Sequence, residues 1–219
     1  YDLENAVTGY TPFYVSYYNF TNGLDVSSDM GALGLAGVIS GSKDVNIHEG
    51  GIAYLTNNNS YTGATNIAEK GWLGIGGTGS ISQSAVVNVA GSFDIAHSET
   101  GQSIRSLSGS GQVVLGDNTL LLSQAQDTFS GSIRDDYAEG STRAAMVPVP
   151  ILTGGENQTH GGVIIGGGQE IFSGNNSYSG KTGVAAAAQL ILTGRLDKSQ
   201  VENAGRFENN GETTAIVNS

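Results

Sequence analysis

One stretch of this chain occurs twice, and that constrains the fold more than any other feature. Asn58-Asn59-Ser60-Tyr61-Thr62-Gly63-Ala64-Thr65-Asn66-Ile67 returns as Asn175-Asn176-Ser177-Tyr178-Ser179-Gly180-Lys181-Thr182-Gly183-Val184, 117 residues later. The match continues through Leu73 and Ile75, which correspond to Leu190 and Leu192. Ala90-Gly91-Ser92-Phe93-Asp94 then matches Ala204-Gly205-Arg206-Phe207-Glu208 at an offset of 114, so three residues are lost around Gly76 to Ser84. Gaps in turns with strands preserved are what a repeat architecture permits.

The strand signals inside the repeat are short. Ile52 to Leu55, Ala64 to Ile67, Trp72 to Ile75, Val86 to Val89, Phe93 to Ile95, Gln112 to Leu115 and Thr119 to Leu122 are candidates. Between them lie turns such as Gly76-Gly77-Thr78-Gly79 and Asn57-Asn58-Asn59. Composition agrees, with thirty-four glycines in 219 residues and only 13% charged. Hydrophobic residues still reach 38%, which argues against disorder, and three prolines without a glycine period exclude collagen. Strands this short bury a face only if successive coils stack, so that like positions form apolar columns. The expectation is an all-β solenoid, a parallel β-helix of nine or ten coils at roughly 20 to 25 residues each. Asn at stacked turns is expected to form amide ladders along the axis. Val184 to Ala188 has helical propensity, but its counterpart Ile67 to Gly71 links two strands, so it reads as strand and turn.

Four regions follow: 1–30, an aromatic-rich N-terminal linker or cap; 31–133 and 163–219, two β-helix repeat regions; and 134–162, a protruding loop. Seven of the aromatics, from Tyr1 to Phe20, fall in the first region and suit a cap closing the stack. The loop holds Asp135-Asp136-Tyr137-Ala138-Glu139 and, at Pro148 and Pro150, two prolines that no stacked strand accommodates.

The net charge of −11 disfavours nucleic acid and anionic lipid as partners. There is no cysteine, hence no disulfide framework and no thiolate metal site. Tyr1 is not an initiator and no leader follows it, so the chain reads as a piece of a longer one. His48, His97 and His160 invite a search for nucleophilic catalysis, and Asp94 with His97 suits either a dyad or a solvated rim. No Gly-x-Ser-x-Gly elbow occurs. Gly74-Ile75-Gly76-Gly77-Thr78-Gly79 formally matches a dinucleotide fingerprint, yet Ser80-Ile81-Ser82-Gln83-Ser84 is no helix, so it reads as a turn. The dense acidic groupings are Asp44 with Glu49, and Asp135 with Asp136 and Glu139. A carbohydrate-cleaving enzyme would need such carboxylates on one face. No catalytic, cofactor-binding or metal residue is assigned.

The segments Asn58 to Thr65 and Leu73-Gly74-Ile75-Gly76-Gly77-Thr78-Gly79-Ser80 resemble the autotransporter-associated β-strand repeat. So do Ser106 to Gly116 and the second copy around Tyr178, although Arg195 and Asp197 replace Gly and Ser there. The resemblance covers about residues 35–133 and 163–211. It implies a right-handed parallel β-helix, the passenger domain of a Gram-negative autotransporter secreted through its own C-terminal outer-membrane β-barrel. Tyr1-Asp2-Leu3-Glu4-Asn5-Ala6-Val7-Thr8-Gly9 is similar to the tail of a subtilisin-like serine protease domain, which would lie upstream of Tyr1. The leading reading is a non-catalytic stalk that displays such an effector at the cell surface, a setting tied to virulence. The alternative is an adhesin that binds a host-surface protein or glycan, or self-associates between cells. A carbohydrate-cleaving β-helix enzyme is the third reading.

Overall fold

The computed structural model describes residues 13–136 and 160–218, with side chains over 16–136 and 160–213. The likeness to a protease tail at 1–9, the two prolines and Glu139 lie outside the described residues, as does the Tyr14 side chain.

Alternation of inward and outward residues sets the local structure. In Val45–Ile47, Thr65–Ile67 and Val87–Val89 the outer two residues are buried and the central Asn is half-exposed, the two-residue period of a pleated strand. Each strand then finds its hydrogen-bond partners one coil away, and every pairing is parallel. Three sheets result. The first comprises Phe13–Ser16, Ala32–Leu35, Ile52–Leu55, Trp72–Gly77, Ser92–Ser98, Gln112–Val114 and Ser132–Arg134. The second is nine-stranded: Leu24–Val26, Val45–Ile47, Thr65–Ile67, Val87–Val89, Leu107–Gly109, Thr128–Phe129, Gly168–Phe172, Ala188–Leu192 and Arg206–Asn209. The third holds Gln102–Ile104, Thr119–Leu122, Gly162–Ile165, Thr182–Val184 and Arg195–Asn203, with Asn175–Asn176 and Glu212–Asn218 on the last of these. Inward residues form one continuous core, in which Ile47, Ile67 and Val89 make one column and Leu55, Ile75 and Ile95 belong to another. Each such side chain contributes about 1.5–3 kcal/mol on burial.

The fold is therefore a parallel β-solenoid, of about eight turns rather than nine or ten. One coil takes 20 to 22 residues in the first repeat, read from Asn46 to Asn66 and from Asn66 to Asn88. Phe13–Ser16 and Leu24–Val26 already pair with the coil that follows, so the stack begins inside the segment expected to cap it. Both ends of the expected loop are strand residues, Arg134 and Gly162. Thr182–Val184 and Ala188–Leu192 flank a turn, as expected for Val184 to Ala188.

The two repeat copies match in detail. Tyr61 is fully buried, and its hydroxyl lies 2.6 Å from Thr65 Oγ1, which is 2.8 Å from Ser84 Oγ. Tyr178 reproduces this with Thr182 at 2.5 Å, and Thr182 lies 2.7 Å from Ser199 Oγ. Asn59 Oδ1 accepts the Ile39 N–H just as Asn176 Oδ1 accepts the Ile133 N–H. Yet the copies sit on different faces. Thr65–Ile67 belongs to the nine-stranded sheet and Thr182–Val184 to the third, so the repeat has rotated by one face of the three-sided stack. The three missing residues have a visible consequence. Where the first copy breaks at Gly77-Thr78-Gly79, the second runs as one strand over Arg195–Asn203, which explains its Arg195 and Asp197.

Candidate functional site

Two outward surfaces and one clasp bring together the residues that sequence marked. The first surface is the outer face of the first sheet, where Tyr54, Gly74, Asp94, Val114 and Arg134 stand in register on successive coils. The Tyr54 and Trp72 rings stack with centroids 6.2 Å apart and lie across glycines. A Cβ at Gly74 would fall 2.2 Å from the Trp72 ring, and one at Gly76 would fall 1.7 Å from the Tyr54 hydroxyl. The expected turn at Gly74 to Gly79 is thus mostly strand, and its first glycines make room for aromatic rings rather than for a nucleotide. Asp94 is buried here, and burial pushes its carboxyl up to about 7. His97 Nδ1 lies 4.0 Å from Asp94 Oδ2. These two do not form a solvated rim. Trp72 Nε1, Gln112 Nε2 and Arg134 Nε are buried nearby on this sheet without hydrogen-bond partners.

The clasp holds the ends of the expected loop. Asp135 Oδ1 accepts the Gly161 N–H, and its Oδ2 accepts both the Ser179 N–H and the Ser179 hydroxyl. Asp117 accepts the His160 N–H, and His160 Nδ1 lies 2.9 Å from Ser179 Oγ. Serine, histidine and aspartate meet here in the wrong order for a triad. A nucleophilic serine donates to histidine, which the aspartate orients. Ser179 instead donates to Asp135 at 2.7 Å, so its oxygen accepts from His160. The arrangement ties strand ends together. Burial raises the Asp135 pKa, opposed by the hydrogen bonds it receives.

The second surface follows the outward centres of the nine-stranded sheet. Asn46 Nδ2 donates to Asp25, Asn66 to Asn46 and Asn88 to Asn66, at 2.7 to 3.0 Å, and the Ser108 hydroxyl donates to Asn88. An amide ladder thus exists, but on strand centres rather than at the stacked turns where it was expected. His48 Nε2 lies 3.0 Å from Asp25 Oδ1, and the contacts from Asn46 and His48 hold the Asp25 carboxyl below the ordinary range. Beside the ladder runs a shallow depression of about 250 Å³ whose walls are mostly apolar, with Ile47, Ile67, Val89, Ala68 and Ala90 among its lining residues. Sequence reasoning missed it, although Val45-Asn46-Ile47, Thr65-Asn66-Ile67 and Val87-Asn88-Val89 carry the signal of an Asn at each strand centre.

The acidic groupings are occupied separately. Asp44 accepts the Ala64 N–H and Glu49 pairs with Lys70 at 2.7 Å. Among the described residues, no three His, Asp or Glu side chains are grouped to hold a metal ion. Sequence also missed Glu170, which lies in the core next to Asp127 of the preceding coil, where burial and then the Asp127 charge push its carboxyl up, opposed by a hydrogen bond from the Asp127 backbone. Its alternation with Phe172 in Gly168–Phe172 was the available signal. Comparison with family models, with curated proteins and with solved structures finds no match for this chain.

Proposed function

We propose that this chain is the non-catalytic stalk of an autotransporter passenger, a rigid spacer that displays an upstream effector at the surface of a Gram-negative cell. The observation that supports this reading is the unbranched stack itself. About eight coils at ~4.8 Å per step raise whatever precedes them by about 40 Å, on a scaffold with one continuous core. Coils that contact only their neighbours tolerate length changes, which suits a spacer. The repeat's resemblance to the autotransporter-associated β-strand motif supplies the cellular setting, and a subtilisin-like protease is the effector that the first residues suggest.

The test places the chain between an N-terminal reporter enzyme and an outer-membrane β-barrel translocator in a Gram-negative host. The reporter should reach the cell exterior and be released by added protease. Retention inside the cell would refute the display role, as would hydrolase activity of the isolated chain, read by stoichiometric labelling of one serine with a fluorophosphonate probe.

A further inference from the structure

Glycine follows asparagine at two places in this chain, Asn22-Gly23 and Asn210-Gly211. That pairing has a chemistry of its own, because glycine has no side chain to shield its backbone nitrogen from the neighbouring carboxamide. The fold treats the two sites differently. Asn22 is exposed at the corner that leads into Leu24–Val26, and among the described residues the Gly23 N–H donates no hydrogen bond. At the second site the Gly211 N–H donates to Asn209 Oδ1 at 3.1 Å, and Asn210 Nδ2 donates to Glu208 Oε1 at 2.9 Å. The Asn210 N–H is held as well, by the Leu192 carbonyl at 2.7 Å. The first corner itself requires glycine at 23. Its φ is +81°, and an added Cβ would fall 2.4 Å from the Asp44 carbonyl oxygen. The equivalent positions one and two coils on, before Val45 and Thr65, are Lys43-Asp44 and Gly63-Ala64, which carry no asparagine.

We propose that Asn22-Gly23 is a built-in ageing site, where the folded chain deamidates and forms isoaspartate without an enzyme. The Gly23 amide nitrogen gives its proton to hydroxide and attacks Asn22 Cγ. The N–Cγ bond forms, the Cγ–Nδ2 bond breaks, and the amide leaves as ammonia with a proton from water. Water then opens the five-membered imide at either carbonyl, giving aspartate or isoaspartate with no change of oxidation state. A hydrogen bond given to an acceptor favours the protonated form of the donor. The free Gly23 N–H therefore ionises more readily than the held Gly211 N–H, so Asn22 reacts and Asn210 is protected. In isoaspartate the backbone runs through the former side chain and gains one carbon. Gly23 sits too closely on Lys43 and Asp44 to absorb that carbon, so the 3.1 Å bond from the Leu24 N–H to the Asp44 carbonyl is lost. The coil that carries Leu24–Val26 loosens with age, a property independent of the display role.

The experiment incubates the folded chain, and the same chain unfolded in guanidinium chloride, at mildly alkaline pH. Tryptic peptide mapping by mass spectrometry follows both sites, since cleavage after Lys43 and Arg206 places them in separate peptides, 1–43 and 207–219. In the folded chain Asn22 should convert at least tenfold faster than Asn210, about 1.4 kcal/mol in barrier. In guanidinium the two rates should agree within about threefold, because only the local sequence then sets them. Asn22→Gln should stop the first reaction and leave Asn210 unchanged. Asn209→Ala removes the acceptor of the Gly211 N–H and should speed Asn210 severalfold in the folded chain. Equal rates at the two sites of the folded chain would overturn the proposal. So would conversion of Asn22 in guanidinium alone, or an unchanged Asn210 rate in Asn209→Ala.

Discussion

Tyr61 shows how one side chain organises a turn. Its ring fills the core, and its hydroxyl begins a chain of donors through Thr65 and Ser84 to the Gly63 carbonyl. Tyr61→Phe removes one buried hydrogen bond and should cost about 1 kcal/mol, whereas Tyr61→Ala leaves a cavity and should cost about 3–5 kcal/mol. Tyr178 makes the same bonds, so each cost should recur there, and the double mutant should be additive within about 0.5 kcal/mol. Denaturant melts of the singles and the double check this. A neutral Tyr61→Ala beside an unfolding Tyr178→Ala would break the equivalence. Gly76 gives a second test. Its added Cβ would meet the Tyr54 hydroxyl, so Gly76→Ala should cost about 1–3 kcal/mol by overpacking. Adding Gly76→Ala to a Tyr54→Ala chain should then cost much less than adding it to the parent; an equal cost in both would show that the ring is not what the glycine accommodates. The Asn-Asn-Ser-Tyr motif, present in both copies, makes the equivalence of the two tyrosines legible in the sequence. The ring resting on Gly74 and Gly76 is not legible there, because a contact between coils leaves no mark in the local pattern.

At the scale of single elements, the corners decide how strands join. Gly50 and Lys70 hold the same corner one coil apart, at φ of +72° and +58°, and each corner closes through a hydrogen bond from the following glycine. Lys70 is the one non-glycine among the described residues in the left-handed region, where a Cβ costs about 1–2 kcal/mol. Lys70→Gly should therefore be neutral to stabilising by about 1 kcal/mol, despite losing an exposed ion pair to Glu49 that contributes little. A melting temperature lowered by several degrees would show that the corner is not strained. Most expected strands were legible to within a residue or two, and Ile52–Leu55 and Thr119–Leu122 keep their bounds, whereas Phe93 to Ile95 lengthens to Ser92–Ser98. What sequence could not show was the assignment of strands to sheets. A repeat reports the path of one coil, while the face on which it starts depends on how much chain lies between the copies. Seventeen residues separate Thr182 from Ser199 where nineteen separate Thr65 from Ser84, so even coil length drifts between the copies.

Across the whole molecule, the acidic groups in its body make stability depend on pH in an unusual direction. Acid unfolding normally reflects surface carboxylates held below their ordinary range, and Asp25, Asp29 and Glu49 are of that kind. Glu170 is the opposite. Burial, reinforced by the neighbouring Asp127 charge, pushes its carboxyl up to about 9 from an ordinary value near 4.5, and Asp94 is pushed up to about 7. A folded state that keeps a proton the unfolded chain has released loses stability as pH rises. For Glu170 the window opens near its unfolded value and closes near 9. Within it the slope is at most about 1.4 kcal/mol per pH unit. Below the window both states are protonated and the group is silent; above it both are ionised and the loss is complete. The melting temperature should therefore fall steadily from about pH 5 to about pH 9, measured in steps of about one unit. Glu170→Gln keeps the shape, removes the titration and should flatten most of that fall, with its largest gain over the parent at the alkaline end. Asp94→Asn should flatten only the part above its own unfolded value and below about 7. Because a solenoid coil packs only on its neighbours, hydrogen exchange should place the alkaline loosening in Thr128–Phe129, Gly168–Phe172 and Ala188–Leu192, the coils around Glu170. A Glu170→Gln melting curve parallel to that of the parent across the whole range would show that this carboxyl is already ionised in the core.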